Sequence, residues 1–155
     1  MIAEGDIAPE FTAPTDTGHP LSLRSLRGRV VVLYFYPKDD TPGCTVEACA
    51  FRDAFPRFED AHAVILGVSP DKVAKHAKFK AKYGLPFTLI ADTDHAIASA
   101  YGVWDEKQLF GRKYWGVVRS TFVIDPTGRV ARAFPKVNPV GHAAEVAAAV
   151  ESARS

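Results

Sequence analysis

The chain has 155 residues, 47% of them apolar, enough to bury one hydrophobic core, so we expect a single domain over residues 1–155. Nineteen basic and eighteen acidic residues leave a formal net charge of +1, which argues against nucleic acid or an acidic membrane surface as the main partner. The longest apolar run, VVVLYFY, is too short to span a bilayer, and the N-terminal MIAEGDIAPEF lacks the features of a secretory signal. We therefore expect a cytoplasmic protein without a permanent structural disulfide.

Strand and helix patterns alternate along the chain. The residues before Arg29 predict irregular structure or a small hairpin. Continuous β-branched and aromatic runs predict buried strands at Arg29–Tyr36 and Ala63–Ser69. Between them, TPGCTVEACAFRDAFPRF (Thr41–Phe58) has helix-start residues at its front and predicts a helix. Next come a helix in SPDKVAKHAKFKAKYG closed by Gly84, a strand FTLIAD, a short helix DTDHAIASAYGV, strands GVVRSTFVID and GRVARAF joined by DPTG, and a closing helix GHAAEVAAAVESA.

This order predicts an α/β fold with a central mixed sheet and helices on both faces. Alternating strands and helices give parallel strands, and the DPTG hairpin adds an antiparallel edge. Trp104, Tyr114 and Trp115 are expected in a loop, where packing is their default role. Asp39 and Asp40 are expected to be solvated.

The two cysteines, Cys44 and Cys49, are the only thiols of the chain. Thr41 is a suitable N-cap and Pro42 a suitable first helical residue, which places Cys44 in the first turn of a helix. Free N–H groups and the positive end of the helix dipole favour an anion there, so we expect the Cys44 thiol to have a lowered pKa. The alternative is a small buried cysteine without chemistry.

The spacing of the two thiols predicts a transient disulfide. In an ideal helix, residues i and i+5 lie about 140° apart around the axis and roughly 8.7 Å apart between Cα atoms. A disulfide requires about 4.4–6.8 Å between Cα atoms, so Cys44 and Cys49 can bond only if the first turns of the helix unwind.

The sequence argues against two other uses of the cysteines. The spacing does not fit a zinc site and the five histidines are scattered, so we expect neither a metal nor a cofactor. A thioredoxin-type oxidoreductase normally carries Cys-x-x-Cys at this helix start, whereas this chain has CTVEAC.

The segment PKDDTPGC resembles the Pro-x-x-x-Thr-x-x-Cys signature of peroxiredoxins, and TPGCTVEACAFRD is similar to their bacterioferritin comigratory protein, or Q, type. The likeness runs along essentially the whole chain, including GVVRSTFVID and VGHAAEV. It implies a thioredoxin-like fold, with Cys44 as the peroxidatic and Cys49 as the resolving cysteine. Thr41, Pro37 and Arg119 resemble the other active-site residues. The resemblance also implies a peroxide substrate and a thioredoxin, or similar dithiol, as reductant.

The chemistry of these residue types supports the same roles. In the transition state of peroxide reduction, negative charge moves from sulfur across the O–O bond. The backbone N–H of Cys44, the Thr41 hydroxyl and the Arg119 guanidinium are candidate donors to that charge. Glu47, one turn from Cys44, either orients an arginine such as Arg119 or is an exposed helix glutamate.

The sequence therefore predicts a monomeric thiol peroxidase that forms a Cys44–Cys49 disulfide. The enzyme alternative is a general thiol–disulfide oxidoreductase. The non-enzyme alternative is a redox sensor that uses the same thiol switch to bind a partner.

Overall fold

The computed structural model describes residues 1–153, which form a five-stranded sheet, two small hairpins and five α-helices. The strands are β1 (Thr12–Pro14), β2 (Pro20–Ser22), β3 (Val31–Phe35), β4 (Val64–Ser69), β5 (Thr88–Ala91), β6 (Trp104–Leu109), β7 (Arg112–Val117), β8 (Ser120–Ile124) and β9 (Val130–Phe134). The helices are α1 (Pro42–Asp53), α2 (Phe55–Asp60), α3 (Val73–Tyr83), α4 (Ala96–Ala100) and α5 (His142–Ala153), with a 3-10 turn at Leu23–Leu26.

The central sheet has the strand order β5-β4-β3-β8-β9 and is mixed, as predicted. Strands β3, β4 and β5 are parallel because a helix connects each to the next. Strand β8 runs antiparallel to β3, with Ser120 opposite Phe35, and β9 returns antiparallel to β8. The start of β8 therefore lies beside the carboxyl end of β3, from which the chain leads into α1.

Side chains of β3 alternate between two hydrophobic cores, one on each face of the sheet. Val32 and Tyr34 join the core under α1, α3 and α5, whereas Leu33 and Phe35 join the core under α4. All five residues of β3 are buried because helices cover both faces. The continuous apolar run of this strand is the expected sequence pattern.

Two local expectations need correction. The helix after Thr41 is not continuous to Phe58 but ends at Asp53, and α2 begins at Phe55. Pro56 explains the break, because its ring and missing N–H interrupt the ladder of a preceding helix. The aromatic segment expected as a loop is instead the β6–β7 hairpin, in which Trp104 pairs with Val117. The N-terminal segment is the small β1–β2 hairpin, one of the two forms expected.

Candidate active site

Cys44 is buried in the first turn of α1, with its side chain on the sheet-facing side of the helix. Thr41 has the extended backbone of an N-cap (φ −95°, ψ 156°) and Pro42 is the first helical residue, as predicted. The first helical hydrogen bond runs from the Thr45 N–H to the Thr41 carbonyl at 2.9 Å. The N–H group of Cys44 therefore precedes the helical ladder, and the positive end of the helix dipole lies at this residue.

Arg119 reaches the same sulfur from the sheet. It immediately precedes β8, so the antiparallel pairing places it beside the carboxyl end of β3. Its Nη2 group donates a hydrogen bond to Cys44 Sγ at 3.2 Å. Its carbonyl accepts the N–H of Val137 at 2.8 Å, which ties the backbone in place. The guanidinium thus lies where it can stabilise negative charge on sulfur.

Glu47 orients that guanidinium. Its Oε1 accepts a hydrogen bond from Arg119 Nη1 at 2.7 Å, and the glutamate side chain is only 1% exposed. Burial raises the pKa of Glu47 from 4.5 to about 7, although the nearby Arg119 lowers it in part. Of the two roles considered for this residue, the structure shows the buried partner of Arg119 rather than an exposed helix glutamate.

Arg119 is consequently shared between two acidic groups. Burial opposes its charge, but Glu47 and then Cys44 raise the pKa of the guanidinium above its ordinary value. The close approach to α1 depends on a glycine, because a Cβ atom at Gly43 would lie 3.2 Å from Arg119 Nη2.

The Thr41 hydroxyl does not cap α1. It donates a hydrogen bond to the Lys38 carbonyl at 2.9 Å, so its proton is directed into the preceding turn. The expectation that this hydroxyl donates toward the reacting sulfur therefore needs correction. A hydroxyl group that donates its hydrogen bond to a carbonyl still has oxygen lone pairs, which can accept a hydrogen bond from another group. Pro37 is half-buried and directly follows Tyr36, the last residue of the buried segment that contains β3. Its role in the site stays a prediction.

Cys49 is half-buried on the same continuous helix as Cys44, and both cysteines are free thiols. The structure therefore represents the reduced protein with α1 wound. In this state the helix separates the two sulfurs, as the spacing argument requires.

Asp39 is not solvated, contrary to the sequence expectation. It is 2% exposed and lies against two other buried side chains, those of Tyr36 and His76. Asp40 is exposed, as expected, and pairs with Lys82. His76 could have been found from sequence, because it shares the apolar side of α3 with Phe79 at helical spacing.

Lys107 of β6 is a second residue near the site that the sequence did not suggest. Burial, and then the positive charge of Arg119, lower the pKa of Lys107. The β6–β7 hairpin therefore contributes a cation whose charge interacts with those of Arg119 and Cys44. Lys107 is half-buried, and no feature of the sequence marks it.

Within residues 1–153 no group of three or more His, Cys, Asp or Glu side chains is placed to hold a metal ion. None of the helices in this part of the chain is long and apolar enough to cross a membrane. The side chains of the candidate site belong to α1 and to the segments that precede α1 and β8.

Comparison with known proteins gives consistent matches. The AhpC/TSA family profile matches residues 4–133. The chain is 53% identical to a putative peroxiredoxin, bcp, of Coxiella burnetii, covering 94% of this chain and 96% of the relative. It is 49% identical to peroxiredoxin Bcp of Bacillus subtilis, covering 93% and 92%. A solved structure of the Xanthomonas campestris bacterioferritin comigratory protein superposes with a TM-score of 0.88 at 42% identity, covering 92% of this chain and 90% of that one.

Proposed function

Because this chain belongs to the AhpC/TSA family, as a peroxiredoxin of the bacterioferritin comigratory protein or Q type, we propose that it reduces hydrogen peroxide and organic hydroperoxides at Cys44. The observation that carries the proposal is the hydrogen bond from Arg119 Nη2 to the sulfur of a cysteine in a helix first turn. The Xanthomonas campestris relative has alkyl peroxide reduction activity, which supports organic hydroperoxides as substrates.

In the first step the Cys44 thiolate attacks one peroxide oxygen. An S–O bond forms and the O–O bond breaks, so sulfur loses two electrons and the peroxide gains them. The leaving alkoxide or hydroxide takes a proton and departs as an alcohol or water, and Cys44 becomes a sulfenic acid. Arg119 Nη2 and the Cys44 backbone N–H stabilise the charge that spreads over the reacting atoms.

Thr41 has a distinct role in this step. Its hydroxyl proton is engaged by the Lys38 carbonyl, so its oxygen accepts the O–H of the incoming peroxide. That contact aligns the peroxide with the sulfur before reaction and contributes through orientation. Pro37 lacks an N–H and shields the site from water.

In the second step Cys49 resolves the sulfenic acid. Its thiolate attacks the Cys44 sulfur, an S–S bond forms, and the S–O bond breaks with release of hydroxide that is protonated to water. Because α1 keeps the two residues apart, its first turns must unwind before this bond can form. A thioredoxin or similar dithiol then reduces the disulfide and restores both thiols.

The cycle needs only one chain and one domain. Both thiols belong to the same helix, so a monomer suffices for peroxide reduction and for disulfide formation. The cytoplasmic location remains a prediction and agrees with a cycle that ends in free thiols.

Burial of the reactive sulfur favours a peroxidase over a general thiol–disulfide oxidoreductase. Cys44 is 1% exposed, so a small peroxide reaches it more easily than the disulfide of a folded protein. A redox sensor would share the first step but would not turn over rapidly with a dithiol.

The proposal is tested by following peroxide consumption in the presence of thioredoxin or dithiothreitol. Wild type should consume many equivalents of peroxide per chain, whereas Cys44→Ser should consume none above the background. Single-turnover consumption by the wild type would favour the sensor. Rapid exchange with protein disulfides, without peroxide consumption, would favour the oxidoreductase.

A further inference from the structure

The loop of residues 37–41 joins β3 to α1 and carries two of the proposed active-site residues, Pro37 and Thr41. Asp40 within it has a left-handed backbone (φ 59°), a conformation that aspartate tolerates but that costs free energy. Such a loop keeps its shape only when neighbouring groups hold it. The position of the Thr41 oxygen and of the first turn of α1 depends on that hold.

A buried polar cluster of Asp39, Tyr36 and His76 holds the loop in this shape. Asp39 Oδ1 accepts a hydrogen bond from the Tyr36 hydroxyl, and Asp39 Oδ2 lies 2.6 Å from His76 Nδ1. His76 is 0% and Tyr36 1% exposed, so water does not share these contacts. The loop is thereby attached to the first turn of α3.

The proton arrangement of this cluster follows from its last member. His76 Nε2 lies 2.9 Å from the Ile90 carbonyl, which can only accept, so Nε2 carries a proton. One further proton is then shared between His76 Nδ1 and Asp39. Wherever that proton resides, histidine and carboxylate together carry no net charge, which makes their burial tolerable.

Two outer contacts attach the same loop to the same part of the fold. The Asp39 N–H donates to Asp71 Oδ2 at 2.6 Å, in the turn before α3. The Asp40 carboxylate accepts from Lys82 Nζ at 2.7 Å and from the Tyr83 hydroxyl at 2.9 Å. The loop is therefore fixed to α3 on one side, while Arg119 holds Cys44 from the other.

We propose that Asp39 and His76 are positioning residues for peroxide reduction, which act by anchoring the 37–41 loop to α3 and so holding Thr41 and Cys44 in the reactive geometry. The inference rests on the proposed function of Cys44. Loss of the anchor has two consequences. Attack on peroxide slows because the Thr41 oxygen and the sulfur are no longer aligned. Unwinding of α1 becomes easier, because the residues at its start are no longer tied down.

The test removes the anchor without leaving a buried charge. In the double variant Asp39→Ala, His76→Leu, both members of the pair become apolar together, which avoids an unpaired buried charge, while the Tyr36 hydroxyl and the Ile90 carbonyl each lose one partner. Two quantities are measured on reduced protein: the second-order rate constant of Cys44 oxidation by hydrogen peroxide, and the share of Cys44 that proceeds to sulfinic acid rather than disulfide. We expect the rate constant to fall by about tenfold or more, since misplacement by about 1 Å has a large effect on attack.

The sulfinic share separates positioning from general destabilisation. Sulfinic acid forms when a second peroxide oxidises the sulfenic acid before Cys49 reaches it. Slower attack and easier unwinding both act against that reaction, so the sulfinic share should fall together with the rate constant. Asp92→Ala is the matched control, because this buried carboxylate accepts the N–H groups of Ile97 and Ala98 on the opposite face of the sheet. The control should unfold at lower temperature yet keep both kinetic quantities.

A conservative variant should rescue the anchor. In Asp39→Asn, the amide N–H₂ can donate to a neutral His76 Nδ1 while the amide oxygen accepts from the Tyr36 hydroxyl. The net charge of the cluster stays zero, so the rate constant should remain within about threefold of wild type. If Asp39→Asn is as slow as the double variant, the carboxylate itself is required and the anchoring proposal is wrong.

The remaining outcomes are also decisive. A folded double variant with the wild-type rate constant and sulfinic share would overturn the proposal. If the double variant does not fold, Asp71→Ala decides. It removes the outer contact to the Asp39 N–H, together with the contacts of Asp71 to Ser69 and Lys75, and leaves the Asp39–His76 pair in place. A smaller fall in both quantities supports the anchor, and wild-type values contradict it. Failure of the proposed function is recognised separately, in Cys49→Ser, by Cys44 that gives no dimedone adduct after a peroxide pulse.

Discussion

Arg119 and Cys44 are separated by 75 positions in the chain, yet the guanidinium of one lies 3.2 Å from the sulfur of the other. The contact exists because an antiparallel strand begins beside the carboxyl end of β3, and because Gly43 leaves room for the guanidinium. Glu47 holds the second guanidinium nitrogen at 2.7 Å.

Serine variants of the two cysteines should lose different steps of the reaction with peroxide. Cys44→Ser should lose peroxide turnover completely, because an alcohol is not ionised at neutral pH. Cys49→Ser should keep one rapid reaction with peroxide per chain but form no internal disulfide. Intact-mass analysis checks this: peroxide-treated wild type should lose two hydrogens, and Cys49→Ser should gain one oxygen. Unchanged mass of the treated wild type would contradict the intramolecular disulfide.

Arg119→Met should slow the attack on peroxide by roughly 10²-fold, the usual effect of removing one donor to a developing negative charge. Arg119→Lys should recover part of the loss, because lysine supplies a charge without the planar fork that also engages Glu47. The rate constants are compared at a pH where Cys44 is fully thiolate in every variant, so that differences in thiol ionisation drop out.

The matched control for Arg119 is Arg132→Met, since Arg132 lies on the surface in an ion pair with Glu4 and should not affect attack. Equal rate constants for wild type and Arg119→Met under these conditions would remove the guanidinium from the mechanism.

Glu47 should make the reduced protein less stable as pH rises from about 4.5 to about 7. Its pKa in the folded chain is raised to about 7 from 4.5, chiefly by burial, so in this window the folded state binds a proton that the unfolded state has lost. The loss is on the order of 3 kcal/mol. Glu47→Gln cannot ionise, so its stability relative to wild type should be clearly greater at pH 8 than at pH 5.

Urea unfolding of both proteins at the two pH values measures this difference. His142 also titrates below its ordinary range because burial lowers its pKa, but it does so in both proteins and cancels in the comparison. A stability difference that is identical at pH 5 and pH 8 would show that Glu47 does not titrate in this window.

Oxidation should unwind the first turns of α1. In a verified Cys44–Cys49 disulfide form, amide exchange should be faster from residue 43 to residue 51, while Val31–Phe35 at the centre of the sheet stays protected. The far-UV helical signal should fall slightly. Unchanged exchange over residues 43–51 would mean that the thiols can join without unwinding the helix.

The cost of unwinding can be varied at Val46, which is 48% exposed on α1 and touches none of the described polar contacts of Cys44. Val46→Ala raises helix propensity by roughly 0.5 kcal/mol, so the sulfinic share should rise about twofold. Val46→Gly lowers propensity and should reduce it. Gly43→Ala is less suitable, since its new Cβ would lie 3.2 Å from Arg119 Nη2 and disturb attack itself.

The juxtaposition of Cys44 and Arg119 could be predicted from the sequence. Clear sequence patterns predict the buried strand before α1, the helix start at Thr41 and the strand after Arg119. The family resemblance then implies that Cys44 and Arg119 belong to one active site. The 37–41 loop could not be predicted in the same way. Asp39 lies in a polar segment of the kind that usually forms a solvated turn. Its burial depends on His76, which lies 37 positions away in α3.

The β6–β7 hairpin was missed for a different reason. A strand is recognised by alternation of apolar and polar residues, which requires one buried and one exposed face. Four of the six residues of β7 are exposed and β6 is also largely exposed, so neither strand shows that alternation. Only one end of the hairpin reaches the core, where Val117 is buried and Trp104 packs beside it. The rest of the pairing depends on backbone hydrogen bonds between exposed segments.

The placement of both thiols on α1 also has a kinetic consequence. Disulfide closure within one short segment is a first-order reaction, so its rate does not fall when the protein is diluted, unlike closure between two subunits. At a given peroxide concentration, the lifetime of the sulfenic acid then depends on the opening of the helix and not on the copy number of the protein. Dilution over several orders of magnitude should therefore leave the ratio of disulfide to sulfinic acid unchanged at a fixed peroxide concentration.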